Sequence, residues 1–133
     1  AKGSPLFELG DDEIEVGVGI HGEPGRRRAK MVSANEIVDI LLDAVVPDLP
    51  FESGDKVALM INGLGGTPIS ELYLLYGIAA EKLAAKGINV TRNYVGEYCT
   101  SLEMAGCSLT LVKLDDEIDA LLAAPASIVN RIF

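Results

Sequence analysis

The sequence contains no tryptophan, a single histidine and only two cysteines in 133 residues. Cys99 and Cys107 are too few for a disulfide scaffold and too far apart for a redox pair, so they read as free thiols of a reducing compartment. With one histidine and no grouped carboxylates to join the thiols, no metal site is expected. Positive charge is scarce as well: 11 Lys and Arg stand against 20 Asp and Glu, giving a net charge of −9. Phosphate backbones require clustered cations, so nucleic acid is excluded as an expected partner. The one basic run, Arg26-Arg27-Arg28, reads as a solvated loop, with docking or phosphate contact as the other reading. Long apolar runs are missing too. The longest candidate, around Ile69 to Ala85, is interrupted by Ser70, Glu71, Glu81 and Lys82, so no membrane span is expected. The opening Ala1-Lys2-Gly3-Ser4-Pro5 turns acidic and does not read as a secretion signal. The expectation is a soluble, cytoplasmic domain.

Apolar residues make up 49% of the chain, and its length is about that of one domain. Strand-like and helix-like segments alternate along it. Ile14, Val16, Val18 and Ile20 alternate with Glu15, Gly17 and Gly19, the period of a half-buried strand, and a Gly/Pro loop follows from His21 to Gly25. Ser33 and Glu36 form a capping box ahead of an apolar stripe of Ile37, Ile40, Leu41, Ala44 and Val45 that Pro47 ends. Lys56 to Ile61 reads as an interior strand. Asn62-Gly63-Leu64-Gly65-Gly66 turns the chain into a second helix, with Thr67 as N-cap, Pro68 as first helical residue and Gly87 as terminator. Its buried face is drawn through Ile69, Leu72, Tyr73, Tyr76, Ala80 and Leu83. Ile88 to Val95 should run parallel to the preceding strand across that helix. Thr100 and Glu103 suggest a short capped helix, Cys107 to Leu114 an antiparallel edge strand, and Asp116 to Ala123 a last helix stopped by Pro125. The fold class predicted is α/β: a mixed, mostly parallel sheet with helices on both faces and one antiparallel edge strand, in a single domain over residues 1–133.

Two loops carry candidate chemistry. In Gly17-Val18-Gly19-Ile20-His21-Gly22-Glu23-Pro24-Gly25 a histidine flanked by glycines stands at a strand's C-terminal end, where open α/β sheets place ligands. Glycine neighbours let another molecule approach the imidazole. On the residues alone, a hydrogen-bonded structural histidine is an equal reading. The second loop, Asn62 to Pro68, lacks the Gly-Lys-Ser/Thr ending of a phosphate-binding loop and the glycine spacing of a dinucleotide site, so no nucleotide is assigned to it.

The run from Gly17 to Gly25, with Phe7-Glu8-Leu9 and Asp12-Glu13-Ile14-Glu15 before it, resembles the substrate-binding subunit of dihydroxyacetone (glycerone) kinases. The likeness continues through Asn62-Gly63-Leu64-Gly65-Gly66-Thr67-Pro68, Ser70-Glu71-Leu72-Tyr73, Arg92-Asn93, Gly96 with Tyr98-Cys99-Thr100-Ser101-Leu102, and Lys113-Leu114-Asp115-Asp116-Glu117. It covers essentially the whole chain, in the family's order. The resemblance implies that His21 bonds through a ring nitrogen to the carbonyl carbon of dihydroxyacetone as a hemiaminal, holding a terminal hydroxyl for phosphoryl transfer. Glu23 is the candidate to orient the His21 ring or to hydrogen-bond the substrate. The resemblance also implies a homodimer and a two-domain subunit whose N-terminal domain is absent here, so that this chain alone is inactive. No cofactor is expected in this chain. ATP or a phosphotransferase-system relay would be held by a partner domain or subunit. The other functional reading is a ketone-sensing paralogue that partners a transcriptional activator.

Overall fold

The computed structural model describes residues 7–126. By internal contacts the chain divides into two compact units, Ala1–Ser33 and Ala34–Phe133, a division the sequence reading does not draw.

In the first unit, β1 (Glu13–Val16) pairs antiparallel with β2 (Arg27–Lys30) in a two-stranded sheet. The register places Glu15 opposite Arg28 and Glu13 opposite Lys30. Opposite charges across a strand pair stabilise it, and here Arg28 Nε lies 3.3 Å from Glu15 Oε2 while Lys30 Nζ lies 3.0 Å from Asp12 Oδ2. Two expectations are corrected. The first strand stops at Val16, because Gly17 takes a positive φ of 80° and turns the chain, leaving Ile20 exposed. The Arg26–Arg28 run is solvent-exposed as expected but is not all loop, since Arg27 and Arg28 belong to β2.

The second unit holds a three-stranded sheet of β3 (Lys56–Gly63), β4 (Asn89–Gly96) and β5 (Cys107–Leu114) in the order β4-β3-β5. β3 is parallel to β4 and antiparallel to β5, so the sheet is mixed and β5 is the antiparallel edge strand that the short preceding connection required. Among the described residues it has one pairing of each kind, so the parallel pairing does not predominate.

α1 (Ala34–Val45) begins directly after Ser33, as the capping signal places it. α2 (Ile69–Ala85) ends where Gly87 adopts φ 76°; there Ile88 N–H donates to Leu83 O and Gly87 N–H to Ala84 O, closing the helix and burying Ile88. α3 (Asp116–Ala123) is capped by Asp115, whose carboxylate accepts from Ile118 N–H at 2.7 Å.

The core lies on one face of the sheet. Val57, Leu59 and Ile61 of β3 meet Val38 and Leu42 of α1 and Leu72, Leu75, Ala79 and Leu83 of α2. The expected faces hold in part: Leu72 and Leu83 are in the core and Ile37, Leu41, Val45, Tyr76 and Ala80 pack against it, but Ala44, Ile69 and Tyr73 are exposed. Each helix carries apolar residues round more than one side, so spacing alone did not orient it. On the other face, Ala58, Met60, Tyr94 and Val112 form an apolar groove of about 290 Å³ with Ile118 and Leu122 of α3. No residue of α3 is buried, and Arg92 anchors it by donating from Nε to Asp119 Oδ1 at 2.6 Å and from a terminal nitrogen to Asp119 O at 2.9 Å.

The Arg92 guanidinium, hydrogen-bonded to Asp119, holds that carboxyl below its ordinary value of 3.8. A depressed carboxyl contributes stability above the unfolded-state value and loses it as pH falls through the folded-state value. The difference in melting temperature between the parent chain and Asp119→Asn should therefore be present at neutral pH and disappear below pH 3.8. Thermal melts across that range read it directly.

Candidate functional site

His21 sits in the connection between β1 and β2, not at the C-terminal end of a strand in the larger sheet. This corrects the expected placement: the strand before it belongs to the two-stranded sheet. The loop is built by its own backbone. Gly22 N–H donates to Gly19 O at 2.9 Å and Gly19 N–H to Glu23 O at 3.0 Å, while Arg26 N–H closes the base on Val16 O at 2.7 Å. Gly22 has φ 83°, a left-handed conformation that a side chain would strain. A β-carbon at Gly19 would collide with the Glu23 carboxylate, and one at Gly25 would collide with Glu15 and Val16 O. The glycines flanking His21 are therefore needed for the shape of the loop itself.

The loop presents the imidazole to solvent, 84% exposed. Glu23 is folded back on it: Oε2 accepts from the His21 backbone N–H at 3.0 Å, and Oε1 lies 3.3 Å from Nδ1. Nε2 has no hydrogen-bond partner among the described residues. The structure thus brings His21 and Glu23 together and leaves one ring nitrogen accessible. An accessible, uncharged imidazole nitrogen is a nucleophile and a proton acceptor.

The Arg28 guanidinium is paired on its own strand's neighbour, 3.3 Å from Glu15 and 3.8 Å from Glu13.

The Asn62–Pro68 loop has a structural task that its glycines only partly revealed. Asn62 is buried, and its amide makes four hydrogen bonds. Oδ1 accepts from Tyr98 N–H and Cys99 N–H, both at 2.8 Å. Nδ2 donates to Cys99 O at 2.9 Å and to Ser108 Oγ at 3.2 Å. Gly65 N–H donates to Glu97 Oε2, and a side chain at Gly63 would strike the same carboxylate. Thr67 does not cap α2. Its hydroxyl donates to Gly106 O and accepts from Gly106 N–H, both at 2.8 Å, and Pro68 takes the N-cap position.

The helix expected after Thr100 does not form either. The backbone N–H groups of Ser101 and Met104 both go to Leu64 O, and Thr100 Oγ1 donates to Ser101 O. Sequence reasoning missed Asn62 and Glu97; a lone asparagine ending an otherwise apolar strand was the available signal for the first.

Ala58, Met60, Val112, Ile118 and Leu122 give the groove an apolar lining, and among the described residues no three His, Cys, Asp or Glu side chains are grouped to hold a metal ion. No helix of the described residues is long and apolar enough to cross a membrane. The two cysteines differ in setting: Cys99 is exposed, whereas burial pushes the Cys107 thiol above its ordinary value.

Removing the Asn62 amide would leave the Tyr98 and Cys99 N–H groups without an acceptor. Asn62→Ala should therefore cost about 2 to 3 kcal/mol, read as a lower urea midpoint at unchanged slope.

The chain is similar over most of its length to several known proteins. It is 47% identical over 115 residues to the dihydroxyacetone-binding subunit DhaK of the PTS-dependent dihydroxyacetone kinase 1 of Listeria innocua, covering 86% of this chain and 35% of that protein. It is 47% identical over 125 residues to L-erythrulose 1-kinase of Mycolicibacterium smegmatis, covering 91% of this chain and 22% of that protein. Among solved structures, the dihydroxyacetone kinase operon co-activator Dha-DhaQ superposes with a TM-score of 0.82 at 32% identity, over 90% of this chain and 38% of the other. The chain thus spans well under half the length of each of these relatives. The family model described as the Dak1 domain matches residues 1–130. By that match, by these identities and by the shared fold, this chain belongs to the Dak1 domain family.

Proposed function

We propose that this chain supplies the ketone anchor of a dihydroxyacetone kinase, with His21 bonding covalently to the C2 carbonyl carbon of dihydroxyacetone as a hemiaminal. The observation that carries the reading is an imidazole 84% exposed on a loop built around it, in a chain 47% identical to a dihydroxyacetone-binding subunit. Reversible addition of imidazole to a ketone suits neutral pH. It also supplies selectivity, because glycerol has no carbonyl to attack and forfeits the anchor. Once C2 is fixed, a terminal hydroxyl is held for phosphoryl transfer, a reaction in which positioning contributes much of the rate.

In this reading the chain is the C-terminal domain of a two-domain, cytoplasmic, homodimeric subunit. It holds neither metal nor nucleotide, and the phosphoryl donor, ATP or a phosphotransferase-system relay, stays on a partner domain or subunit. The acceptor class extends to four-carbon ketoses, on the strength of the similarity to an L-erythrulose kinase. A second reading is favoured by one specific observation, the TM-score of 0.82 to an operon co-activator. In it the same histidine reports ketone to a transcriptional activator and no phosphoryl group is transferred.

Carbon NMR with C2-labelled dihydroxyacetone, on this domain within its complete subunit, should show a bound tetrahedral carbon. His21→Ala should abolish that signal; a ligand that binds the parent without it removes the covalent role. Phosphoryl transfer in the complete subunit, supplied with its donor, should proceed for the kinase and fail for the sensor. The 133-residue chain with the donor subunit alone should show no turnover.

A further inference from the structure

Both oxygens of the Glu23 carboxylate face His21, one at the backbone N–H and one 3.3 Å from Nδ1. A carboxylate placed this way is poorly suited to contact substrate. It is well suited to choosing which ring nitrogen carries the proton. Neutral imidazole has one N–H and one lone pair, and a charge held beside one ring nitrogen biases which of the two carries the proton. Negative charge beside Nδ1 favours a proton there and disfavours a lone pair.

We infer that Glu23 is a positioning residue that keeps the proton of neutral His21 on Nδ1, so that Nε2 presents the lone pair to the ketone. The consequence for catalysis rests on the covalent-anchor reading; the tautomer itself does not. The loop is shaped for the contact. The Gly19 N–H to Glu23 O and Gly22 N–H to Gly19 O bonds bring residue 23 back over residue 21, and only glycine at position 19 leaves room for the carboxylate. Nε2, the nitrogen left with the lone pair, has no ion-pair or hydrogen-bond contact among the described residues.

In the addition, the Nε2 lone pair forms the bond to C2 and the carbonyl π pair moves to oxygen. The ring, transiently cationic, releases its Nδ1 proton to solvent, and the oxygen takes one proton from solvent. The product is a neutral hemiaminal with no net gain or loss of protons. While the ring is cationic, the carboxylate beside Nδ1 offsets its charge.

Because His21 is the only histidine in the chain, ring-nitrogen NMR of histidine-labelled protein reports it alone. With the ring neutral and no ketone present, the parent should hold mainly the Nδ1–H form. Glu23→Gln and Glu23→Ala should each lower the ratio of Nδ1–H to Nε2–H by about threefold, the scale of an exposed charged contact. The Gln variant keeps an oxygen for the His21 backbone N–H while removing the charge, so its backbone amide spectrum should stay that of the parent. A parent in the Nε2–H form, or variants that keep the parent's ratio, overturn the inference. If the tautomer shifts as expected but labelled ketone gives no tetrahedral carbon in the complete subunit, the positioning role stands and the covalent reading falls.

Discussion

One buried amide holds the second unit's two long loops in place. Asn62 stands at the end of the central strand β3, directly opposite Ser108 of β5 and Gly96 of β4. Both lone pairs of its oxygen and both protons of its nitrogen are used, so its orientation is dictated by its partners. An amide turned the other way would set its N–H protons against the Tyr98 and Cys99 N–H groups. The β4–β5 connection is therefore fastened at its start to β3. Thr67 fastens its end, gripping Gly106 through both backbone groups. Between those points the donors of Ser101 and Met104 go to Leu64 O, and Gly66 N–H donates to Met104 O at 2.9 Å. A helix capped at Thr100 would have turned the Met104 N–H back to Thr100 O; that donor goes to Leu64 O instead, so the capping pair Thr100 and Glu103 has no helix to cap.

Among its described residues the first unit has no comparable core, and none of them is buried. It is organised by paired charges and by glycine. Glu15 with Arg28 and Asp12 with Lys30 tie the two strands, each contact exposed enough to contribute little alone. Glycines at 17, 19, 22 and 25 give the connecting loop a path that no side chain at those positions would allow without strain or displacement. Within that path the histidine and the carboxylate two residues on are forced together. The chemistry of the site is thus a property of the loop's backbone as much as of its side chains.

Much of this was readable from residue types. Largely apolar content made β3 an interior strand, Gly87 marked the end of α2, and Pro125 the end of α3, because each signal is local. His21 stood out as one imidazole among glycines after a strand, a pattern that fits a structural histidine equally well. Helix orientation was readable only in part. In α2, Leu72, Tyr73, Leu74, Leu75 and Tyr76 are consecutive apolar residues, and only packing against Leu59 and Ile61 chose Leu72 and Leu75 for the core while leaving Tyr73 and Leu74 outside.

By itself the sequence determined the alternation of elements, the mixed pairing of the sheet and the residue types at the candidate site, since these depend on periodicity, turn chemistry and chain length between elements. The partners of Asn62 and Thr67, the pairing of Arg27 and Arg28 into a strand, the membership of β1 in a separate sheet and the return of Glu23 onto His21 were decided by tertiary structure. Each depends on which backbone groups and charges meet across a turn or a long stretch of chain, and no local pattern of residues specifies that meeting.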